Sequence, residues 1–491
     1  MTPILFVYAK GGPPLEYAIP RIAAHAEVHV LALAPLPEVT APTWRPSCAS
    51  VTEEAPREGD ALVELICEHA ELVGAGAVTT LSEYAVVAVA HACRRLGLAG
   101  AGGNVEAARD KRLMRHRWHQ AGVPVPGFQP VREAADIDAA FDRLRPPLLL
   151  KAAWSAGSTA HVRVEDRTQA ERAWQLGRDV MAASATEGYA ELHSARDGVS
   201  DFLLEEIVTG RADAWFGTDS KHAWGDYVSV EGIVADGVYH PLCLTGRMPT
   251  IPPFTERAGI APVALPQAAQ RRIEEVSRAA VDALNLDTCA THTEIKLGAD
   301  GEMWVIETAA RFGGVMTTRQ VEAVYGLDML GMLVRQLLGE PVRYPEWMLT
   351  EGTSEGPGAA GSLVVLAADP EGRPWRDLPP WNFAAVDWHE LLGEGTRIEL
   401  VREAALPDGT PMPAYTEAGG ANAMAALCFL TADSEQTLLA DCEHVIAALP
   451  RALADAAARA GEDEAFPGQG TTDRTDRTDR TDRTDDAEAD V

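Results

Sequence analysis

The sequence predicts an α/β domain followed by α+β units, and three observations predict it. Strand-like apolar runs alternate with helical patterns over residues 1–105. Two later stretches, 227–249 and 289–309, read as β-hairpins turned at Ala-Asp-Gly. From about 345 to 460, short strands and helices alternate again as another α+β unit. A chain of 491 residues that is 46% hydrophobic has room for roughly two to four domains.

The elements follow in order. PILFVYAKGG reads as a buried first strand ending in a glycine loop, where Gly11 and Gly12 suit either a close approach to a ligand or a plain turn. EYAIPRIAAHAEVHVLAL reads as a helix and a second strand, and residues 61–100 continue the alternation, giving a doubly wound α/β domain over 1–105. VEAARDKRLMRHRWHQAG predicts a helix with Leu113 and Trp118 on its apolar face, stopped by Gly122 and the Pro124, Pro126 pair. PPLLLKAAW, HVRV and DFLLEE predict strands, with the small-residue loop SAGSTA between the first two. Residues 106–195 and 196–345 are expected as two further subdomains, with a polar insertion at 211–225 carrying Trp215, Phe216 and Trp224. Those aromatics either cover a substrate site or pack on their own loop. AAQRRIEEVSRAAVDALNL predicts an amphipathic helix before the second hairpin. From Thr472 the chain repeats Thr-Asp-Arg four times, and residues 462–491 hold eleven acids against four arginines. Such a segment has almost nothing apolar to bury and is expected to lie outside the fold, as a disordered tail over 461–491.

The totals exclude several classes. A net charge of -31 leaves no basic surplus to neutralise nucleic acid or an anionic membrane, so any phosphate site must be locally basic. Only five lysines (Lys10, Lys111, Lys151, Lys221, Lys296) stand against 37 arginines, so a retained lysine marks a place where a compact ammonium is preferred. Seven cysteines are scattered without a CxxC pair, which argues for reduced thiols in a cytoplasmic protein rather than zinc or disulfides. The start lacks a basic n-region and no run of 18 apolar residues occurs, so neither a signal peptide nor a membrane span is expected.

CATHTEIKLGADGEMWVIETAARFGG, residues 289–314, carries the chemistry. In a strand His292, Glu294 and Lys296 share a face, and the return strand brings Glu307 opposite Glu294 with Arg311 just beyond. A generic hairpin carries such charges on a solvated face. Here the return strand is strongly apolar, and AARFGG breaks it just where the arginine follows. Two facing carboxylates and an arginine suit Mg²⁺ bound to nucleotide phosphates, because Mg²⁺ takes one or two carboxylates and completes its octahedron with phosphate oxygens. The phosphate grip has candidates upstream. Lys111 opens a helix, Lys151 closes an apolar strand, and Gly157 and Ser158 follow in a loop able to lay backbone amides over a polyphosphate.

The order of these pieces resembles the ATP-grasp superfamily over residues 1–345, most sharply at DKRLMRHRWHQAGVPVPGF, LEEIVTG and IETAARFGG. GDYVSVEGIVADGVYHPLCLTGRMP, IPPFTERAG and the 289–314 stretch narrow the likeness to the L-amino-acid ligases, the bacilysin-type dipeptide synthetases among them. The resemblance implies an ATP-grasp fold with an N-terminal α/β domain, a two-part clamp over 106–195 and 196–345, and a C-terminal α+β region over 346–460. It implies a ligase that joins a carboxylate to an amine with ATP giving ADP and phosphate, using Mg²⁺ or, in its place, Mn²⁺. Its partners would be small amino-acid, amine or short-peptide substrates, with a homodimer as the assembly.

Carried over residue by residue, Lys111, Lys151, Gly157 and Ser158 would hold the phosphates, and Glu205, Glu206 and Ile207 would form the adenine hinge, partly through backbone groups. Asp226 is a ribose candidate, and Lys296 sits among the nucleotide contacts. Glu294 and Glu307 would bind the metal. Arg247 would lie near the terminal phosphate, Arg311 would hold the acyl phosphate, and Glu256 would face the substrate ammonium. Gly259, His292, Gly314 and Val315 would line the substrate pocket. Three positions depart from the patterns. Most ATP-grasp proteins have Glu-x-Asn-x-Arg, whereas here Ala309 replaces the asparagine, as in the amino-acid ligases. Gly259 replaces a histidine of the bacilysin-type enzymes, and Val315 replaces a tryptophan that narrows their pocket. Those two changes imply a larger pocket and a carboxyl donor other than alanine. A tailoring ligase that acylates a peptide or amino-nucleoside in antibiotic assembly is the neighbouring alternative, and a non-catalytic nucleotide-binding scaffold the remote one.

Overall fold

The computed structural model describes the chain except residues 10, 155–160, 187–201, 218–223, 252–253, 417–419 and 466–491. The Thr-Asp-Arg repeats therefore lie outside the described residues. Among the described residues sixteen strands form three sheets.

The first sheet is built from β1 (Pro3–Tyr8), β2 (Glu27–Ala32), β3 (Cys48–Glu53) and β4 (Ala77–Thr79) in the order β3-β2-β1-β4, all parallel. Its alternation explains the layers. Leu5 and Val7 of β1 pack with Leu62, Ile66 and Val89 from the helices Gly59–Val73 and Val86–Leu96, while Ile4 and Phe6 join the opposite core with Ile19 and Ile22 of the helix Leu15–Ala23. Buried on both faces, the central strand β1 reads as a continuous apolar run, whereas the edge strand β3 has no buried residue.

The second sheet comprises β5 (Phe128–Val131), β6 (Leu148–Ala152), β7 (Val162–Val164) and β8 (Phe202–Glu206), ordered β5-β8-β6-β7 and antiparallel. In chain order between the first two sheets comes the helix Lys111–Ala121, capped by the Asp110 side chain and stopped at Gly122 in the left-handed region. Trp118 is buried and its indole N–H donates to Ala280 O at 2.8 Å. Leu113, expected beside it, is 46% exposed. The inward stripe is instead Lys111, Met114, Arg115 and Trp118, the i, i+3, i+4, i+7 series, so this helix directs two cations inward.

The third sheet is the largest: β9 (Tyr227–Ala235), β10 (Val238–Arg247), β11 (Ala258–Ala261), β12 (Cys289–Leu297), β13 (Met303–Ala309), β14 (Ala359–Leu366), β15 (Arg397–Ala405) and β16 (Met424–Ala432). The order is β13-β12-β9-β10-β11-β14-β16-β15 and every pairing is antiparallel. The strands after residue 345 thus do not form a sheet of their own: β14 pairs with β11 and carries the sheet through to β15. The helix Gln267–Leu284 and the C-terminal helix pack one core, whereas Thr317–Tyr325 and Met329–Leu337 fill the space between this sheet and the first. In the insertion Phe216 stacks on Trp224 with ring centroids 5.0 Å apart, and the Trp215 indole donates to Gly298 O at 2.7 Å. These rings pack on their own loop and neighbouring turn.

Candidate active site

The hairpin β12–β13 sets Glu294 directly opposite Glu307, with Thr293 and Thr308 hydroxyls bonded at 3.0 Å. A bulge follows Glu294. Both carboxylates line a cavity of about 310 Å³ between the second and third sheets, together with His292, Lys296 and Arg311. Lys111, from the inward stripe of its helix, donates to Glu307 Oε1 at 3.1 Å. Burial would raise the Glu307 carboxyl, but Lys111, Arg311 and Lys151 together outweigh it and hold the group at about 2. Among the described residues no group of three or more His, Cys, Asp or Glu side chains is placed to hold a metal ion. Two carboxylates on one wall, with lysines lining the same cavity, fit Mg²⁺ shared with phosphate oxygens and do not fit a closed protein cage.

Lys151 extends from β6 into the same cavity, where its ammonium lies 2.6 Å from Glu205 Oε2. The other oxygen of Glu205 takes the Arg115 guanidinium, which also donates to Ile306 O at 2.6 Å. Burial opposes the charge on Glu205, yet Arg115 and Lys151 hold it at about 2. The Glu205 carboxylate is thus engaged by Lys151 and Arg115, which leaves the expected hinge to the backbone of residues 205–207. Glu206 is held by Arg145 at 3.1 Å, and the Ile207 amide donates to Pro147 O at 3.2 Å. Glu206, Ile207 and Val208 all line the cavity. Asp226 does not line it; its carboxylate bonds Lys296 Nζ at 2.6 Å, which commits it to steering that lysine. Gly157 and Ser158 lie outside the described residues. His161, just past that loop, lines the cavity and is pushed down to about 3 by burial and then by Lys151 and Lys111, so its ring stays neutral.

Arg247 is buried and makes four contacts: Glu256 Oε1 at 3.1 Å, and Thr245 Oγ1, Gly246 O and Ser229 Oγ at 3.0 Å. Glu256 also accepts from the Tyr227 hydroxyl. Burial opposes the Glu256 charge, but Arg247 keeps its carboxyl below the usual range, while burial and Glu256 raise the Tyr227 phenol. Arg311 points in from the loop after β13, its Nε 2.5 Å from Glu83 Oε2 and its Nη1 donating to Phe312 O at 2.9 Å. Gly314 and Val315 also line the cavity. Val315 has φ +44° and Met316 φ +68°, a left-handed pair that is costly for non-glycine residues, above all for a β-branched valine. Gly259 does not line the cavity. It sits behind Arg247, and a Cβ there would lie 3.5 Å from Gln320 Nε2 and 3.6 Å from Arg247 Nη1, so this glycine opens no recess beyond the room for a methyl group.

Sequence reading thus named most of the cavity wall and missed several partners. Arg115 was legible as Lys111 plus four on a helical stripe. Glu231, a lone acid inside the apolar strand YVSVEGIVA, carried a signal of its own. Tyr227, His161 and Glu83 gave none, because their partners are distant in sequence.

No family model matches the chain. Among solved structures it resembles an L-amino acid ligase from Bacillus licheniformis, at TM-score 0.67 and 20% identity over 91% of this chain and 97% of that one. It also resembles the biotin carboxylase domain of a Hydrogenobacter thermophilus 2-oxoglutarate carboxylase in complex with MgADP, at TM-score 0.60 and 17% identity over 88% of this chain and 86% of that one. These likenesses define the fold as ATP-grasp. In sequence the chain is 35% identical over 367 residues to an alanine–anticapsin ligase of Bacillus subtilis strain 168, covering 71% of this chain and 74% of that protein. The chain belongs to the ATP-grasp L-amino-acid ligases, the family of the alanine–anticapsin ligases. It is an ATP-dependent ligase that joins a carboxylate to an amine. No helix among the described residues is long and apolar enough to cross a membrane.

Proposed function

We propose that this ligase activates the carboxylate of an amino acid larger than alanine and passes it to the amine of a second amino acid or short peptide, with ADP and phosphate as by-products. The observation that carries this reading is one continuous cavity. Two lysines and two facing carboxylates line it together with a charged set of Arg247, Glu256 and Arg311 and a small Val315.

A carboxylate does not acylate an amine at neutral pH, so one of its oxygens must first take the γ-phosphoryl group of ATP. Lys111 and Lys151 supply fixed positive charge for the phosphates, with their ammonium groups aimed by Glu307 and Glu205. Glu294 and Glu307 would hold Mg²⁺, or Mn²⁺ in its place; such an ion when bound neutralises charge on the transferring phosphoryl group. The purine would lie along Ile207 and Val208. Arg311 would hold the acyl phosphate and the oxyanion formed as the amine attacks, after which phosphate leaves and the peptide bond is complete. Glu256, kept ionised by Arg247, supplies an anion for a substrate ammonium. All seven cysteines are unpaired, which supports a reducing cytoplasm as the working compartment.

The test is phosphate release with Mg-ATP across a matrix of donor amino acids and amine or peptide acceptors, with products identified by mass. A condensation product is expected for bulky donors, and Glu307→Ala should abolish it by about 10³-fold or more, as loss of a metal carboxylate does. Turnover only with a peptide amine would select the tailoring ligase, and a product made best from alanine would overturn the reading of Val315.

A further inference from the structure

We infer that Glu231 is a positioning residue that locks the metal-bearing strand to the substrate-side loop, through His292 on one oxygen and Gly313 on the other. The inference rests on the reading above of Val315 as lining the donor pocket.

Along β9 the alternation turns Ser229 and Glu231 to the site face, where Ser229 accepts from Arg247 at 3.0 Å. Glu231 is completely buried, and its Cα partner on the neighbouring strand is His292. Its two oxygens go to different elements. Oε1 accepts from His292 Nδ1, and Oε2 accepts the Gly313 amide at 2.9 Å. The far nitrogen of His292 stands 3.6 Å from Glu294 Oε1, so one arm ends beside a carboxylate assigned to the metal. Burying a carboxylate is unfavourable unless it is paired and hydrogen-bonded, and Glu231 meets both conditions with partners on two separate elements.

The second arm reaches the loop that lines the cavity. A Cβ at Gly313 would lie 2.8 Å from His292 Nδ1 and 2.9 Å from Thr317 Oγ1, so only glycine lets this amide approach Glu231. Beyond it the Thr317 hydroxyl donates to Gly314 O at 2.7 Å, and then come the left-handed Val315 and Met316. Backbone in that conformation persists only where its surroundings hold it. The Glu231–Gly313 bond is the anchor on the N-terminal side of that strained pair.

The experiment compares the full-length wild type with Glu231→Gln and Gly313→Ala by hydrogen exchange of peptides spanning 311–317, Mg-ATP calorimetry and steady-state kinetics. Glutamine keeps the volume but offers only one acceptor oxygen to two donors. Glu231→Gln should raise exchange in the loop and raise the donor KM, each by about tenfold, and weaken Mg-ATP binding. Gly313→Ala sets a Cβ against both His292 Nδ1 and the loop, so it should change loop exchange and donor KM and weaken Mg-ATP binding as well. A Glu231→Gln protein with a lower Tm but wild-type loop exchange and Mg-ATP affinity would overturn the coupling, as would a Gly313→Ala protein unchanged in both loop exchange and donor KM. If Glu231→Gln does not fold, His292→Gln takes its place and should weaken Mg-ATP binding with loop exchange unchanged; unchanged Mg-ATP binding overturns that arm. If wild type turns over no amino acid, the donor-pocket reading fails, while exchange and Mg-ATP binding still decide the role of Glu231.

Discussion

Arg311 enters the cavity with its Nε already fixed by Glu83 at 2.5 Å and Nη1 by Phe312 O at 2.9 Å, so it presents a guanidinium whose orientation is set before any substrate arrives. Preorganised charge of this kind acts where negative charge develops. Arg311→Lys keeps the charge but loses the planar fork, and it should lower kcat by about 10²-fold while leaving the ATP KM within about threefold. Phosphate-release kinetics check this, and a loss confined to the ATP KM would remove Arg311 from the transition state. In this acidic chain the carboxylates of Glu205 and Glu307 pair with and aim Lys151 and Lys111, which is how the proposed phosphate site would avoid repelling a nucleotide outright. Of these relations the sequence showed the residues but not the pairs. Glu294 and Glu307 were legible because strand alternation and a tight turn are local, whereas Glu83 and Arg311 meet across more than two hundred residues of chain.

Elements show the same division. The helix Lys111–Ala121 was readable from its caps, yet which stripe turned inward was not, since a helix with four basic side chains offers more than one face and only packing against Ala280 and Ile306 selects Trp118 and Arg115 over Leu113. The helix Leu15–Ala23 has Pro14 at its N-cap and no local side-chain cap. Its cap comes from β15: Glu403 accepts the Leu15 and Glu16 amides at 2.8 Å each and the Thr40 hydroxyl at 2.6 Å. A carboxylate at a helix N-terminus satisfies orphan donors and complements the helix dipole. Glu403→Ala should therefore lower the unfolding free energy by about 2 kcal/mol without changing the KM for ATP. Urea denaturation with parallel kinetics checks it; an unchanged midpoint would mean water replaces the cap at no cost.

Across the whole molecule, the large antiparallel sheet ties the β12–β13 hairpin at one edge to the C-terminal strands at the other, and buried charged groups of the second and third sheets set a pH window. Glu205 has its folded value near 2 against an ordinary 4.5, so its contribution is full above 4.5 and is lost as pH falls through 2. His292 is opposite in sign. Burial opposes its charge, but Glu231 pushes it up to about 9 from an ordinary 6.5, so its contribution is full below 6.5 and is lost as pH rises through 9. Glu307, also near 2, adds to the acid limb, and His161, held at about 3 against an ordinary 6.5, loses stability as pH falls below 6.5. Ligand-free stability should therefore be greatest near pH 6.5, with Glu205→Gln making the acid limb shallower and His292→Asn the alkaline limb of a denaturation-midpoint profile; a limb of unchanged slope in its variant would assign that limb to other groups. The alternation of strand and helix, the hairpins and the two lysines with their facing carboxylates were determined by the sequence itself, because period, turn chemistry and cross-strand register act over a few residues. The continuity of the sheet past residue 345, the outward turn of Leu113, the diversion of Glu205 and Asp226 to lysines, and the anchors Glu83, Glu231 and Glu403 were decided only by the tertiary structure. Ion pairs and sheet edges are settled by distance through space, and distance along the chain does not encode it.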